Sequence, residues 1–328
     1  MVLRLSFLPF FLLLLAWTIL QAVQKASSKP LGRADANITT LSASEISSFK
    51  PYSFYANTAY CQPPQTLLWA CGQSCDANPT FRPIASGGDG IDIQFWYVGF
   101  DPTLQTVIVA HQGTDPSEIV PLLIDADFFL VGLNPTLFPG VPSNIQVHSG
   151  FASEHAKTAV SVLTAVRIAL QESGLNNVTV VGHSLGLSLS SIIDVIFLPL
   201  LIEPQGAALA LLDSIYLPLF LPSVSFKMIG YGMPRVGNQN FASYVDGHID
   251  VTHINNKEDF VPTLPGRVLG FHHPQGEKHI QDDLSWVSCP GDDNTDIRCT
   301  AGDVPYFFEG SLNDHDGPYD GVMMGCIQ

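Results

Sequence analysis

The stretch "NVTVVGHSLG", Asn177–Gly186, constrains this chain more than any other. Its β-branched start reads as a short buried strand, and it runs straight into Gly182-His183-Ser184-Leu185-Gly186. Alone, a Gly-x-Ser-x-Gly spacing arises by chance in any glycine-rich chain. Behind a strand it predicts a sharp turn, in which Gly182 and Gly186 leave room for a strained backbone that lifts Ser184 out at the top of a sheet. A plain glycine turn is the bland alternative. The helix that such a turn should feed does not follow at once. Pro199, Glu203, Pro204 and Gly206 intervene before "AALALLDS".

The rest of the chain supplies a sheet for this turn. "IDIQFWYVGF" (Ile91–Phe100) and "TVIVAHQG" (Thr106–Gly113) read as two strands joined at Asp101-Pro102, as in a hairpin. From Ala152 to Ser173 the apolar positions Ala156, Ala159, Val160, Leu163, Val166 and Leu170 recur every three or four residues, which predicts an amphipathic helix ended by Gly174. Further strands are expected at Ser225–Gly232 and Asp250–Asn256. Strands alternating with helices predict an α/β fold, a mostly parallel central sheet with helices on both faces.

Ser184 as a nucleophile needs a base and a group to orient it. In the α/β-hydrolase order the acid follows the serine and the histidine comes last. Asp259 leaves the strand ending at Asn256 and precedes Val261-Pro262. Glu258 is a rival, as is Asp250, although Asp250 opens the strand at its wrong end. For the base, His272, His273, His279 and His315 all lie downstream. Bare chemistry leaves them open. An exposed loop among Gly, Asn and Asp suits His315, whereas His272 and His273 sit beside a strand. Stabilising an oxyanion needs backbone N–H groups. Leu185 should give one, and Thr114, after the strand "VIVAHQG", could give another with its hydroxyl. Ile119, Val120, Leu122 and Leu123 come next. They suit a short apolar lid or, equally, core packing.

The N-terminus has Arg4, an apolar run Leu5–Leu20 and small residues at Ala22 and Ala26, the layout of a signal peptide over residues 1–26. Pro9 and the shortness of the run argue against a membrane anchor. Cleavage is expected between Ala22 and Ala34, and secretion with it. An irregular leader over 27–48 and a single domain over 49–328 would follow. In an oxidising compartment the six cysteines should pair, with fifteen connectivities open. Short loops suggest Cys71–Cys75 and Cys289–Cys299, leaving Cys61 with Cys326. A zinc site is disfavoured by the absence of Cys-x2-Cys spacing and of a neighbouring histidine pair. Asn37 and Asn177 head glycosylation sequons. With 30 acidic against 14 basic residues and a net charge of −16, nucleic acid is not an expected partner. A monomer is expected.

Together, "YANTAYC" (Tyr55–Cys61), "VIVAHQGT", "VHSGF" (Val147–Phe151), "VVGHSLG", "GYGMPRVGNQNFASYVD" (Gly230–Asp246), "NNKEDFVPTLPG" and the His272-His273 pair before "EKHI" resemble the fungal class 3 triacylglycerol lipase family, which also includes feruloyl esterases. The resemblance spans nearly the whole mature chain. It implies a triad of Ser184, Asp259 and His315, an oxyanion hole at Thr114 and Leu185, a lid over about Pro116–Asp125 and an end-to-end bridge Cys61–Cys326. It further implies hydrolysis of carboxylic esters through an acyl-serine with no metal or cofactor, and acylglycerols at a lipid–water interface as substrates. A feruloyl esterase and a lipid-binding homologue that has lost catalysis are the rival expectations. The pattern fails at one place. Relatives run "GHSLGAALALLDS", and here Leu187–Gly206 stands between the halves. The reading frame is intact across it, so an unspliced intron is the expectation. A genuine apolar insertion, such as an enlarged flap, is the alternative. Asp194 and Pro199 make a membrane span the weakest reading.

Overall fold

In a computed structural model, which describes residues 38–113, 128–184 and 206–327, the apolar runs become strands with two buried faces. Val107 and Val109 enter one core while Ile108 and Ala110 enter the other, and all four are fully buried. This is the pattern of a strand covered by helices on both sides. The strands are β1 (Thr39–Thr40), β2 (Arg82–Gly87), β3 (Trp96–Asp101), β4 (Thr106–His111), β5 (Leu130–Gly132), β6 (Gln146–His148) and β7 (Asn177–His183). They continue as β8 (Ser225–Tyr231), β9 (Gly237–Asn238), β10 (Asp250–Asn256), β11 (Phe271–His272), β12 (Glu277–Ile280) and β13 (Trp286–Cys289). The main sheet has the order β1-β13-β12-β10-β8-β7-β4-β3-β2. Its centre, β12 through β4, is parallel, and its margins are antiparallel. Four short strands, β11-β9-β6-β5, form a second sheet.

Four helices of eight or more residues are described: α1 (Ala43–Thr58), α2 (Ser149–Ser173), α3 (Gly206–Phe220) and α4 (Gln239–Asp246). Buried residues of α2 and α3 share one core with Val107, Val109, Val178 and Val180, and those of α1 share the opposite core with Ile108, Ala110 and Val181. Helices on both faces of a mostly parallel sheet are the architecture expected from the alternation of strands and helices. Among the described residues no helix is long and apolar enough to cross a membrane.

Three local expectations need correction. The first strand begins at Trp96, not Ile91, because the Asp89 carboxylate accepts the N–H groups of Ile91, Asp92 and Ile93 at 2.8, 2.8 and 2.9 Å and curls that segment into a turn. The leader expected over 27–48 is not irregular where it is described. Thr39–Thr40 pair with β13, and Ser42 and Glu45 form a capping box that starts α1. On α2, Ala156 and Val160 face outward, and the buried stripe runs through His155, Thr158 and Val162 instead. Gly174 ends that helix as predicted, at φ 70°. The hairpin at Asp101-Pro102 also forms, its Asp101 carboxylate accepting the N–H of Thr103 at 2.7 Å.

The cysteines are joined as Cys61–Cys326, Cys71–Cys75 and Cys289–Cys299. The first bridge spans 265 residues of sequence and fastens the chain just after α1 to the C-terminal segment. The signal segment 1–26, Asn37 and most of Leu187–Gly206 lie outside the described residues.

Candidate active site

Strand β7 ends at His183, and the next residue, Ser184, takes φ 72°. A non-glycine residue in the left-handed region is strained by about 1 kcal/mol or more, and is kept only where the surroundings enforce it. They do so here. The Ser184 N–H donates to Tyr231 O of β8 at 2.8 Å, and Ser184 O accepts from Ala207 N at the head of α3, at 3.1 Å. The exit of β4 presses in as well, because a Cβ on Gly113 would lie 2.9 Å from Ser184 Cβ.

Ser184 Oγ lies 2.6 Å from His315 Nε2, and His315 Nδ1 lies 2.8 Å from Asp259 Oδ2. All three residues are fully buried. A carboxylate only accepts, so the proton sits on Nδ1 and leaves Nε2 to accept from the serine hydroxyl. Asp259 is fixed by a turn off β10, in which its N–H donates to Asn256 O at 3.0 Å and its Oδ1 accepts from Val261 N at 2.9 Å. His315, expected in an exposed loop, is instead buried, because its backbone is gripped from several sides. Its carbonyl accepts from His183 Nε2 at 2.9 Å and from Tyr319 Oη at 2.8 Å. Asn256 Nδ2 also donates to the preceding carbonyl, Asp314 O, at 2.8 Å.

The rival candidates are placed elsewhere. Asp250 opens β10 and Glu258 points outward, both exposed. The His273 ring donates to Pro262 O at 2.7 Å, and His279 lies 2.8 Å from both Lys257 O and Arg298 O. His272 sits 3.5 Å from Asp293. Thr114, Leu185 and the lid residues Ile119, Val120, Leu122 and Leu123 lie outside the described residues. Asn177 is exposed at the start of β7.

Two groups escaped the sequence reading. Tyr60 Oη lies 2.5 Å from His183 Nδ1, and the His183 ring packs 4.5 Å from that of His315. Burial, and then the neighbouring His315, push the His183 pKa well below its ordinary value. His183 therefore stays neutral and holds His315 without adding a second cation. The second group lies beneath the turn. Asp213 of α3 accepts from His111 Nε2 of β4 at 2.7 Å and from His155 Nε2 of α2 at 2.9 Å, all buried. Burial alone would raise the Asp213 pKa, but the two imidazoles outweigh it and hold the carboxyl down to about 2. The sequence signal was a lone Asp inside the apolar run "AALALLDS", since a buried carboxylate demands partners. Glu277, Cys289 and Cys299 also lie close together. Both cysteines are spent in one disulfide and Glu277 accepts from Thr300 N at 2.7 Å, so this cluster offers no thiolate to a metal.

A serine at the strand-to-helix turn of a doubly covered parallel sheet defines an α/β-hydrolase, here with a serine–histidine–aspartate relay. A family model described as "Lipase (class 3)" matches residues 108–202 and 204–269. A secreted mono- and diacylglycerol lipase of Malassezia globosa is 30% identical over 80% of this chain and 73% of its own length. A second such lipase of the same organism is 30% identical over 73% of this chain and 72% of its own. The fold also matches the triacylglyceride lipase of Rhizomucor miehei, with a TM-score of 0.70 and 24% identity over 88% of this chain and 98% of that one. The chain belongs to the class 3 lipase family and is a carboxylic ester hydrolase.

Proposed function

We propose that the chain is a secreted acylglycerol lipase in which Ser184 is the nucleophile, His315 the general base and then acid, and Asp259 the group that orients and stabilises the imidazolium. What carries this reading is the aligned relay Ser184–His315–Asp259, at 2.6 and 2.8 Å. Attack by Ser184 Oγ on the ester carbonyl passes the hydroxyl proton to His315 Nε2, which returns it to the leaving alcohol. Water then repeats the sequence on the acyl-serine. Thr114 and Leu185 are the candidate oxyanion donors, and Ile119, Val120, Leu122 and Leu123 the apolar side chains of the lid. Relatives named secreted mono- and diacylglycerol lipases make partial glycerides the first substrates to try. Their names also favour export of this chain, as do its three disulfides and apolar N-terminal run.

Secreted enzyme and its Ser184→Ala variant should be assayed on mono-, di- and triacylglycerols beside feruloyl esters. Hydrolysis of acylglycerols that disappears with Ser184 supports the proposal, whereas activity confined to feruloyl esters refutes the lipid assignment. Binding of lipid with no turnover by the parent chain would make it the non-catalytic homologue. A lid predicts a rise in rate when substrate passes from monomer to emulsion. Smooth saturation across the solubility limit would count against it.

A further inference from the structure

We infer that the glycine completing the nucleophile turn is Gly206, not Gly186, and that residues 186–205 are dispensable for hydrolysis. The inference rests on Ser184 being the nucleophile. Its starting point is the 3.1 Å hydrogen bond from Ala207 N to Ser184 O. A bond of this kind, which in a β-turn links residue i to residue i+3, here links residues 23 apart in sequence, so the chain returns at Ala207 to the point it left at Ser184. Ser184 and Ala207 are thus as close as the ends of a turn with two places between them, and Gly206 holds the place next to Ala207. With 186–205 removed, Leu185 would fill the other place and restore the Gly-x-Ser-x-Gly spacing with Gly206 as its last glycine.

Gly206 also fills a place that only glycine fits. A Cβ there would collide with His183 O and stand 2.7 Å from Gln112 O and 2.8 Å from Gln112 C. These are backbone atoms of the β7 end and the β4 exit, and they have no rotamer by which to give way. The relation is reciprocal, because a Cβ on Gly182 would run into Gly206 O and lie 2.9 Å from Ala207 N. The two glycines of the turn are therefore Gly182 and Gly206, packed against each other.

The residues after each glycine point the same way. Ala207 and Ala208 follow Gly206 and are fully buried at the start of α3. Leu187 and Ser188 follow Gly186. Forcing a leucine into the Ala207 position would overpack a filled core. The register of α3 cannot slide to admit it. Asp213, seven residues past Gly206, is tied to His111 and His155. A shift of one residue turns an α-helix by about 100° and would carry Asp213 off both imidazoles.

Deleting 186–205 and deleting 187–206 give the same chain, Ser184-Leu185-Gly-Ala207, so the two glycines can be told apart only at full length. Four secreted chains decide the matter: full length, the 186–205 deletion, Gly186→Ala and Gly206→Ala. Each is assayed for kcat and KM on a soluble p-nitrophenyl ester, and its competent serines are titrated with a p-nitrophenyl phosphonate. The deletion and Gly186→Ala should keep kcat within about threefold of full length or better, and titrate one serine per chain. Gly206→Ala should lose about 100-fold in kcat with little change in KM, the mark of a misplaced nucleophile. If Gly206→Ala fails to fold, the other two variants still decide. A crippled Gly186→Ala beside an active Gly206→Ala overturns the inference, and so does a deletion chain that folds but neither hydrolyses nor titrates while full length does both. Failure of the nucleophile assignment would show separately, as activity surviving in Ser184→Ala.

Discussion

His315 and His273 are both buried histidines downstream of Asp259, and they differ in what their rings meet. The ring of His315 has side chains at both nitrogens, Asp259 on one side and Ser184 on the other, whereas His273 is spent on a backbone carbonyl. His315→Ala should therefore lower kcat on a soluble ester by about a thousandfold or more, with an unchanged circular dichroism spectrum. His273→Ala should keep most of its turnover and lose thermal stability. A dead His273 variant beside an active His315 variant would reverse the assignment. Asp213 makes a different prediction. Removing it strands two buried imidazoles without their acceptor, so Asp213→Ala should cost about 3–5 kcal/mol in urea denaturation. At this scale the sequence pointed to Ser184 and Asp259, because each follows a strand end. It could not separate the four histidines from bare chemistry. The clue that favoured His315, an exposed loop, points opposite to its burial, and only the family resemblance singled out the histidine that lies between Ser184 and Asp259. His155 and Asp213 hid for a related reason. A polar residue on an apolar face looks like an interruption until its partner on another element is known.

Elements were more legible where one interaction dominates. The strands Thr106–His111 and Asn177–His183 are set by burial on both faces, which writes a nearly continuous apolar or β-branched run. Gly174 ends α2 because a left-handed cap favours glycine. Boundaries set by one side chain were lost. Asp89 stops β3 from reaching back to Ile91, and Ser42 and Glu45 start a helix in a segment whose small polar residues suggested no order. The capping box gives a direct check, since the Ser42 hydroxyl accepts the N–H of Glu45 at 3.3 Å. Ser42→Ala should lower the unfolding free energy by about 1 kcal/mol and leave hydrolysis unchanged. No change in stability would mean that α1 is held by its buried face alone. That face, which includes Tyr52, Tyr55 and Ala56, packs in the same core as Ile108 and Val181.

Over the whole molecule, the α/β class and the pairing of the six cysteines followed from sequence, because alternation and loop length are global patterns. The acid response did not, because it depends on which histidines the fold buries. His183, His253 and His273 are all buried. Burial, then His273, pushes the His253 pKa down to about 3, and burial foremost pushes that of His273 down to about 4. His183 is lowered in the same direction. Each ring is neutral in the fold but takes up a proton in the unfolded chain near its ordinary value of about 6.5. Protons therefore favour the unfolded state as pH drops. The stabilisation is complete above pH 6.5 and is lost progressively toward the folded values, at up to about 1.4 kcal/mol per pH unit for each ring. Asp213 acts lower on the scale. Its carboxyl falls from an ordinary value of about 4 to about 2, so its contribution is intact above pH 4 and is lost between about 4 and 2. The net charge of −16 opposes this trend weakly, since most carboxylates stay ionised down to about pH 5. Urea denaturation of the secreted enzyme should thus give a level unfolding free energy from pH 8 to 7 and a steepening fall from 6.5 to 5. His253→Gln should flatten that fall by close to one proton's worth of slope, whatever it does to stability at pH 8. A free energy that stays level down to pH 5, or an unaltered slope in the variant, would mean that the buried rings are protonated in the native protein and that their neutrality does not set its acid limit.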